Sequence, residues 1–203
     1  MSLMRKWFGP SREEIWRRLS AEIDGDYVKG GFTRPDRVEA THGEWTVTLD
    51  THTVHAGKTV IVYTQMRAPY VNPGGFRFKI YRRGVFSEIG KFLGMQDVEV
   101  GNEEFDRDFI IKGTDESKLR RLFFNPRLRE LIRKQPDIEL SVHDDEGWCG
   151  PKYPERVDVL TFRVSGVIKD VARLKALYDL FAETLDALCR IGEAYEQDPN
   201  LRL

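Results

Sequence analysis

The stretch EWTVTLDTHTV (44–54), followed by Ala56-Gly57 and then TVIVYTQMRA (59–68), decides the fold class. Trp45, Val47 and Leu49 alternate with Thr46, Thr48 and Asp50, the period-2 pattern of a strand with one buried face. The second run is rich in β-branched residues and reads as the returning strand. A connection this short joins antiparallel strands, because a parallel pair needs a crossover of a dozen or more residues. The chain is therefore organised around a hairpin, not around βαβ units.

Outward from the hairpin, the pattern alternates between strands and helices. On the N-terminal side, SREEIWRRLSAEI carries Ser11 and Glu14 at capping-box spacing, with Ile15, Trp16, Leu19 and Ile23 on one helical face. Gly25, Gly30 and Gly31 then open a loop. On the C-terminal side, Pro69 and NPGG (72–75) are expected to break the chain. FRFKIYRR follows, with Phe76, Phe78 and Ile80 facing a core and Arg77, Lys79 and Tyr81 opposite. VFSEIGKFLG (85–94) reads as a short helical turn, Val98 and Val100 as the start of a strand, and FDRDFIIKG as the end of one. TDESKLRRLFF and NPRLRELIRKQ form a helical pair, the second with Asn125 as N-cap and Pro126 at the first helical position. IELSVHD and VLTFRVSG are strands. A long closing helix is capped by Asp170, carries Val171, Leu174, Leu177, Tyr178, Phe181, Leu185 and Leu188 at 3.6-residue spacing, and ends near Glu193–Glu196.

The expected fold class is α+β: a mainly antiparallel sheet with an N-terminal helix, a central helical pair and a long C-terminal amphipathic helix. Residues 1–9 read as a tail or expression scar, 10–196 as a single domain and 197–203 as a C-terminal tail. The 203 residues are 40% hydrophobic and 32% charged, with a formal net charge of −1. A chain of this length buries a core without disulfides or metals. Its near-neutral charge supplies no global field for nucleic acid or membrane. The two cysteines, Cys149 and Cys189, form no CxxC pair and fit a reducing compartment, and no apolar run reaches the length of a membrane span. The expected location is cytoplasmic. The phosphate loop GxxxxGK[ST], GxGxxG, GxSxG and HExxH are all missing, which counts against the common nucleotide-binding and hydrolytic classes.

Two regions are candidates for chemistry. In DTHTVHAG (50–57), Asp50 and His52 share one side of an extended strand, and His55 follows near the turn. These are ligand types that a divalent metal accepts, although a polar strand end facing water explains them more simply. HDDEGWCG (143–150) places His143, Asp144, Asp145, Glu146 and Cys149 together. A thiol–imidazole pair needs Cys149 near His143, yet the acidic neighbours disfavour a thiolate and Asp144–Gly147 suits a turn. The reading is a hairpin. No catalytic residue, metal ligand or cofactor is therefore assigned, and Cys189 is expected to be a small buried hydrophobe.

The charge pattern points elsewhere. Lys118, Arg120, Arg121, Arg127, Arg129, Arg133 and Lys134 stand against the single acid Glu130, and Arg77, Lys79, Arg82 and Arg83 decorate one strand. Arg77, Lys79, Arg120 and Arg121 are the candidate residues for binding an anionic ligand or an acidic protein. The simpler account is a solvated surface balanced by Asp97, Glu99, Glu103, Glu104 and Asp106. The aromatics of FRFKIY alternate as core residues, so no exposed stacking platform for RNA is expected.

The stretches WTVTLDTHTV, TQMRAPY with GFRFKIYRRG, GMQDVEVGNEEFDRDFIIKG, and NPRLRELI through GVIKDVARLKALYDLFAETLD resemble a family of bacterial proteins of unknown function, over about Trp16 to Leu188. The resemblance implies a bacterial, cytoplasmic protein and brings no catalytic motif. The expected function is a non-catalytic binding or interaction domain. The alternative is a metal-assisted or thiol-dependent enzyme using His52/His55 or His143/Cys149. A third expectation is a homodimer seeded by Trp45, Trp148 or the FGP and NPGG segments.

Overall fold

The computed structural model describes residues 9–31, 34–84, 97–145 and 152–203. Within them the chain runs α1 (Arg12–Glu22), β1 (Asp26–Val28), β2 (Arg37–His42), β3 (Trp45–Ala56), β4 (Thr59–Val71), β5 (Phe78–Arg82), α2 (Glu103–Asp108), β6 (Phe109–Gly113), α3 (Glu116–Phe123), α4 (Pro126–Arg133), β7 (Glu139–His143), β8 (Val157–Ser165) and α5 (Val171–Arg190). The strands form one eight-stranded sheet in the order β1-β2-β3-β4-β8-β7-β5-β6, every neighbour antiparallel. The fold is α+β.

Two adjacent rows across all eight strands explain how the sheet sits in the molecule. One row reads Tyr27, Val38, Leu49, Met66, Phe162, Leu140, Ile80, Ile111, and its members from Val38 to Ile111 are buried in the hydrophobic core. The next row reads Asp26, Glu39, Thr48, Arg67, Thr161, Ser141, Lys79, Lys112, without one apolar side chain. Successive residues of a strand point to opposite faces, so this single-residue offset separates an apolar face from a polar one. The helices cover the apolar face. Trp16 and Leu19 of α1, Leu119 and Phe123 of α3, Leu128 and Ile132 of α4, and Leu177, Phe181 and Leu185 of α5 join the same core cluster. Each such side chain contributes about 1.5–3 kcal/mol by leaving water.

The helix ends follow the sequence closely. Ser11 and Glu14 make both bonds of the capping box, Asn125 caps α4 with Pro126 at its start, and Asp170 caps α5. Helix α5 stops at Arg190, short of the expected Glu193–Glu196, because Gly192 takes a φ of 82° that ends the helical path.

Several expectations change. The glycine-rich loop after α1 holds the three-residue β1, and β2 precedes the hairpin. Both strands are short enough that no long alternation marks them. Pro69 lies inside β4 opposite Val159 rather than at a break. Pairing of β4 with β3 ends at Arg67, so the missing proline N–H is not needed on that side. Val98 and Val100 form no strand; the Val98 amide bonds instead to the Ile111 carbonyl, and α2 follows where no helix was expected. The opposite face of β5 is covered as well, with Lys79 3% and Tyr81 7% exposed. Trp45, read as a dimer contact, is buried in the core and unavailable to a partner. Segment 85–94, Trp148 and Cys149 lie outside the described residues.

Candidate functional site

At one end of the sheet, β4 and β7 finish where β5 and β8 begin. Chain reversals there leave a cleft of about 380 Å³, walled by Asn72–Arg77 on one side and by 152–158 on the other. The first wall is built by Asn72. Its side-chain Oδ1 accepts from the Phe76 amide (3.2 Å) and its Nδ2 donates to the Phe76 carbonyl (2.9 Å), closing the NPGG turn on itself. Gly74 lets the turn pass close to Glu193, because a Cβ there would stand 2.7 Å from Glu193 Oε2 and push that carboxylate aside. The second wall is tied to the first by the Asn72 amide, which donates to the Arg156 carbonyl at 2.7 Å.

Asp158 lies at the cleft floor, 4% exposed. Its Oδ2 accepts from Asn72 Nδ2 at 2.6 Å and from Arg77 Nε at 3.3 Å, while Arg77 Nη2 pairs with Asp144 Oδ2 at 3.0 Å. Burial pushes the Asp158 carboxyl above the usual carboxylate range, against the pull of Arg77 and Asn72, because a charge without water is costly unless paired. Tyr70, directly opposite Asp158 in the register, is fully buried. Burial first, then the Asp158 and Glu193 carboxylates, push its phenol upward. Behind the turn, Lys118 Nζ pairs with Glu193 Oε1 at 2.8 Å.

Two cations at the cleft, Lys152 and Arg156, are exposed and form no ion pair among the described residues. Arg156 also has φ 62°, a left-handed conformation that suits glycine and costs other residues about 1–2 kcal/mol.

The four sequence-chosen residues occupy separate settings. Arg77 lines the cleft, already shared between Asp144 and Asp158. Lys79 is buried and pairs with Glu139 at 3.0 Å, which removes it from any accessible surface. Arg120 lines a second groove, of about 350 Å³, beside Arg83, Asp97, Glu99 and Asp106, and pairs with Glu116 at 2.8 Å. Arg121 is exposed on α3. The counter-charges expected between the basic stretches are partly realised, with Asp97 on Lys112 and Glu104 on Arg133.

The histidines do not converge. His52 and His55, three residues apart in extended β3, point to opposite faces. Asp50 turns to Arg67, not to His52, and no metal-ligating group of three exists among the described residues. His42 Nε2 lies 2.9 Å from Asp186, and His143 Nε2 lies 2.7 Å from Ser141 Oγ. Asp145 and Lys152 form an isolated antiparallel bridge, and the residues of the expected hairpin between them, 146–151, lie outside the described residues. The residues that sequence reading passes over are Asn72, Lys152, Arg156 and Asp158. A signal did exist in PKYPER (151–156), where two cations sit among prolines, the composition of a shaped loop.

No family model matches the chain, and no curated protein does. Among solved structures, the crystal structure of the mycobacterial trehalose monomycolate transport factor A, TtfA, is similar. The match covers 89% of this chain and 97% of that chain, with a TM-score of 0.51 and 11% sequence identity. The likeness is one of fold. Among the described residues no helix is long and apolar enough to cross a membrane.

Proposed function

We propose that the protein is a non-catalytic binding module and that the cleft between Asn72–Arg77 and residues 152–158 receives a carboxylate-bearing ligand, either a small anion or an acidic segment of a partner protein. The observation that carries this reading is the pair of cations, Lys152 and Arg156, without an ion pair among the described residues, at a cleft whose third cation, Arg77, is held in place by Asp144 and Asp158. A carboxylate entering the cleft gains charge-assisted hydrogen bonds from these two side chains, which pair with no carboxylate among the described residues. Binding is favoured over catalysis because Asp158, whose carboxyl is pushed upward by burial, is shut beneath Arg77 and Asn72. A fold neighbour described as a transport factor supports a role that acts by binding. The cysteine usage and the family resemblance support a bacterial cytoplasmic setting.

The test is binding of citrate by calorimetry and, separately, of a fluorescein-labelled oligoglutamate peptide by anisotropy. Lys152→Ala with Arg156→Gly should weaken whichever ligand binds by about tenfold or more, equivalent to about 1.4 kcal/mol. Arg156→Gly relieves the left-handed strain, so the variant stays folded. Affinity unchanged in the double variant, or no affinity for either probe, would overturn the reading.

A further inference from the structure

The corner between α3 and α4 carries a surface that shares no residue with the cleft. Phe124 and Asn125 join the two helices, and Phe124 is 78% exposed whereas its neighbour Phe123 is fully buried. The difference is helical geometry. Phe124 keeps right-handed helical angles (φ −63°, ψ −24°), so its side chain leaves the axis about 100° around from that of Phe123. Its amide donates to the Arg120 carbonyl at 2.9 Å, and Arg129 Nη1 donates to the carbonyls of Phe123 and Phe124, at 2.5 and 2.9 Å. The backbone that presents the ring is therefore fixed, and the ring stands in water because the corner holds it there.

Cations surround this ring. Arg120 and Arg121 stand four and three residues before Phe124 and so share its side of the helix. Arg127 is exposed in the first turn of α4. Arg120, Arg121, Arg127, Arg129 and Lys134 stand against Glu116 and Glu130, an excess of three positive charges. Glu116 takes Arg120 at 2.8 Å, and Glu130 is shared by Arg127 at 3.1 Å and Lys134 at 2.8 Å. Behind the corner, Glu183 accepts from Asn125 and pairs with Arg190. Arg121 and Arg129 pair with no carboxylate among the described residues. The excess is local, in a chain whose formal net charge is −1.

A lone apolar ring among cations narrows the partner. A protein interface wants an apolar centre within about 1,000 Å² of contact, yet α3, α4 and their connection expose no second large hydrophobic side chain. A nucleic-acid strand wants successive aromatics on which its bases stack. A bilayer surface asks for neither. It accepts a single aromatic at the depth of the headgroups and attracts cations to its acidic phosphates. We propose that the α3–α4 corner docks on an anionic membrane surface, with Phe124 entering the headgroup layer and Arg120, Arg121 and Arg127 lying against lipid phosphates. Docking of this kind is reversible, since it rests on one ring and on charge that salt screens.

The experiment is co-sedimentation of the full chain with sucrose-loaded vesicles, one set of phosphatidylcholine and one of equal parts phosphatidylcholine and phosphatidylglycerol. At about 0.1 M salt, binding to the mixed set should exceed binding to the neutral set by about tenfold or more, and it should fall toward the neutral level at about 1 M. Phe124→Ala should weaken binding by about fivefold or more and keep its melting temperature, because a side chain in solvent adds nothing to the core. Phe124→Trp, which keeps an interfacial aromatic, should bind at least as well as the wild type. Arg121→Gln should weaken binding by about fivefold and stay folded, since it breaks no ion pair among the described residues. Equal binding to the two vesicle sets, no binding to the mixed set, or wild-type binding by Phe124→Ala or Arg121→Gln would each overturn the proposal. These variants leave Lys152 and Arg156 intact, so ligand binding at the cleft is judged separately.

Discussion

Arg156 and Asp158 show how single side chains acquire their character from neighbours far along the chain. Asp158 borrows Asn72 from 86 residues away and Arg77 from 81. Arg77 could be chosen from the sequence because it stands in a basic strand, but its two acidic partners could not, since neither is near it in the chain. Asp158 has a consequence for stability. Its folded acidity is weakened by burial, so the folded protein keeps a proton that the unfolded chain has released. Stability is therefore expected to fall as pH rises from the unfolded carboxylate value, about 3.9, through the raised folded value, and to level off above it. Urea unfolding across that range should show a shallower decline in Asp158→Asn, and an identical decline would mean that the carboxyl titrates normally.

At the scale of elements, capping was the most legible feature, because a cap is a local hydrogen bond between residues two or three apart. Ser11, Asn125 and Asp170 all cap as their sequence positions indicate. The short strands β1 and β2 were less legible, since three to six residues carry too little alternation to register. What anchors that edge is tertiary. Asp36 accepts from the Gly30 amide at 2.8 Å and pairs with Arg12 of α1 at 3.2 Å. Its carboxyl is held below the ordinary range, chiefly by the Gly30 amide. A depressed folded value contributes stability above the unfolded value that is lost as pH falls through the folded one. Asp36→Asn should therefore melt below wild type at neutral pH, with the gap closing on acidification below about pH 4. A gap that persists into acid would assign the loss to packing instead of charge.

For the whole molecule, the sheet is organised by two neighbouring rows, one apolar from Val38 to Ile111 and one polar from Asp26 to Lys112. Phe162 lies fully buried in the middle of the apolar row. Phe162→Ala should cost about 3–5 kcal/mol, read as a lower urea midpoint with an unchanged slope. A loss under about 1 kcal/mol would show that the sheet centre does not bear on the core as described. The sequence by itself determined the alternation within each long strand, the helical faces, the caps and hence an antiparallel α+β fold. These depend on residues a few positions apart, where covalent geometry sets who meets whom. Only the tertiary structure decided that Lys79 is buried, that His52 and Asp50 serve different neighbours, and that Lys152 and Arg156 stand at a cleft beside Arg77. Those outcomes rest on strand order and register, and pairing between distant segments is set by the packing of the whole chain, not by any one stretch of it.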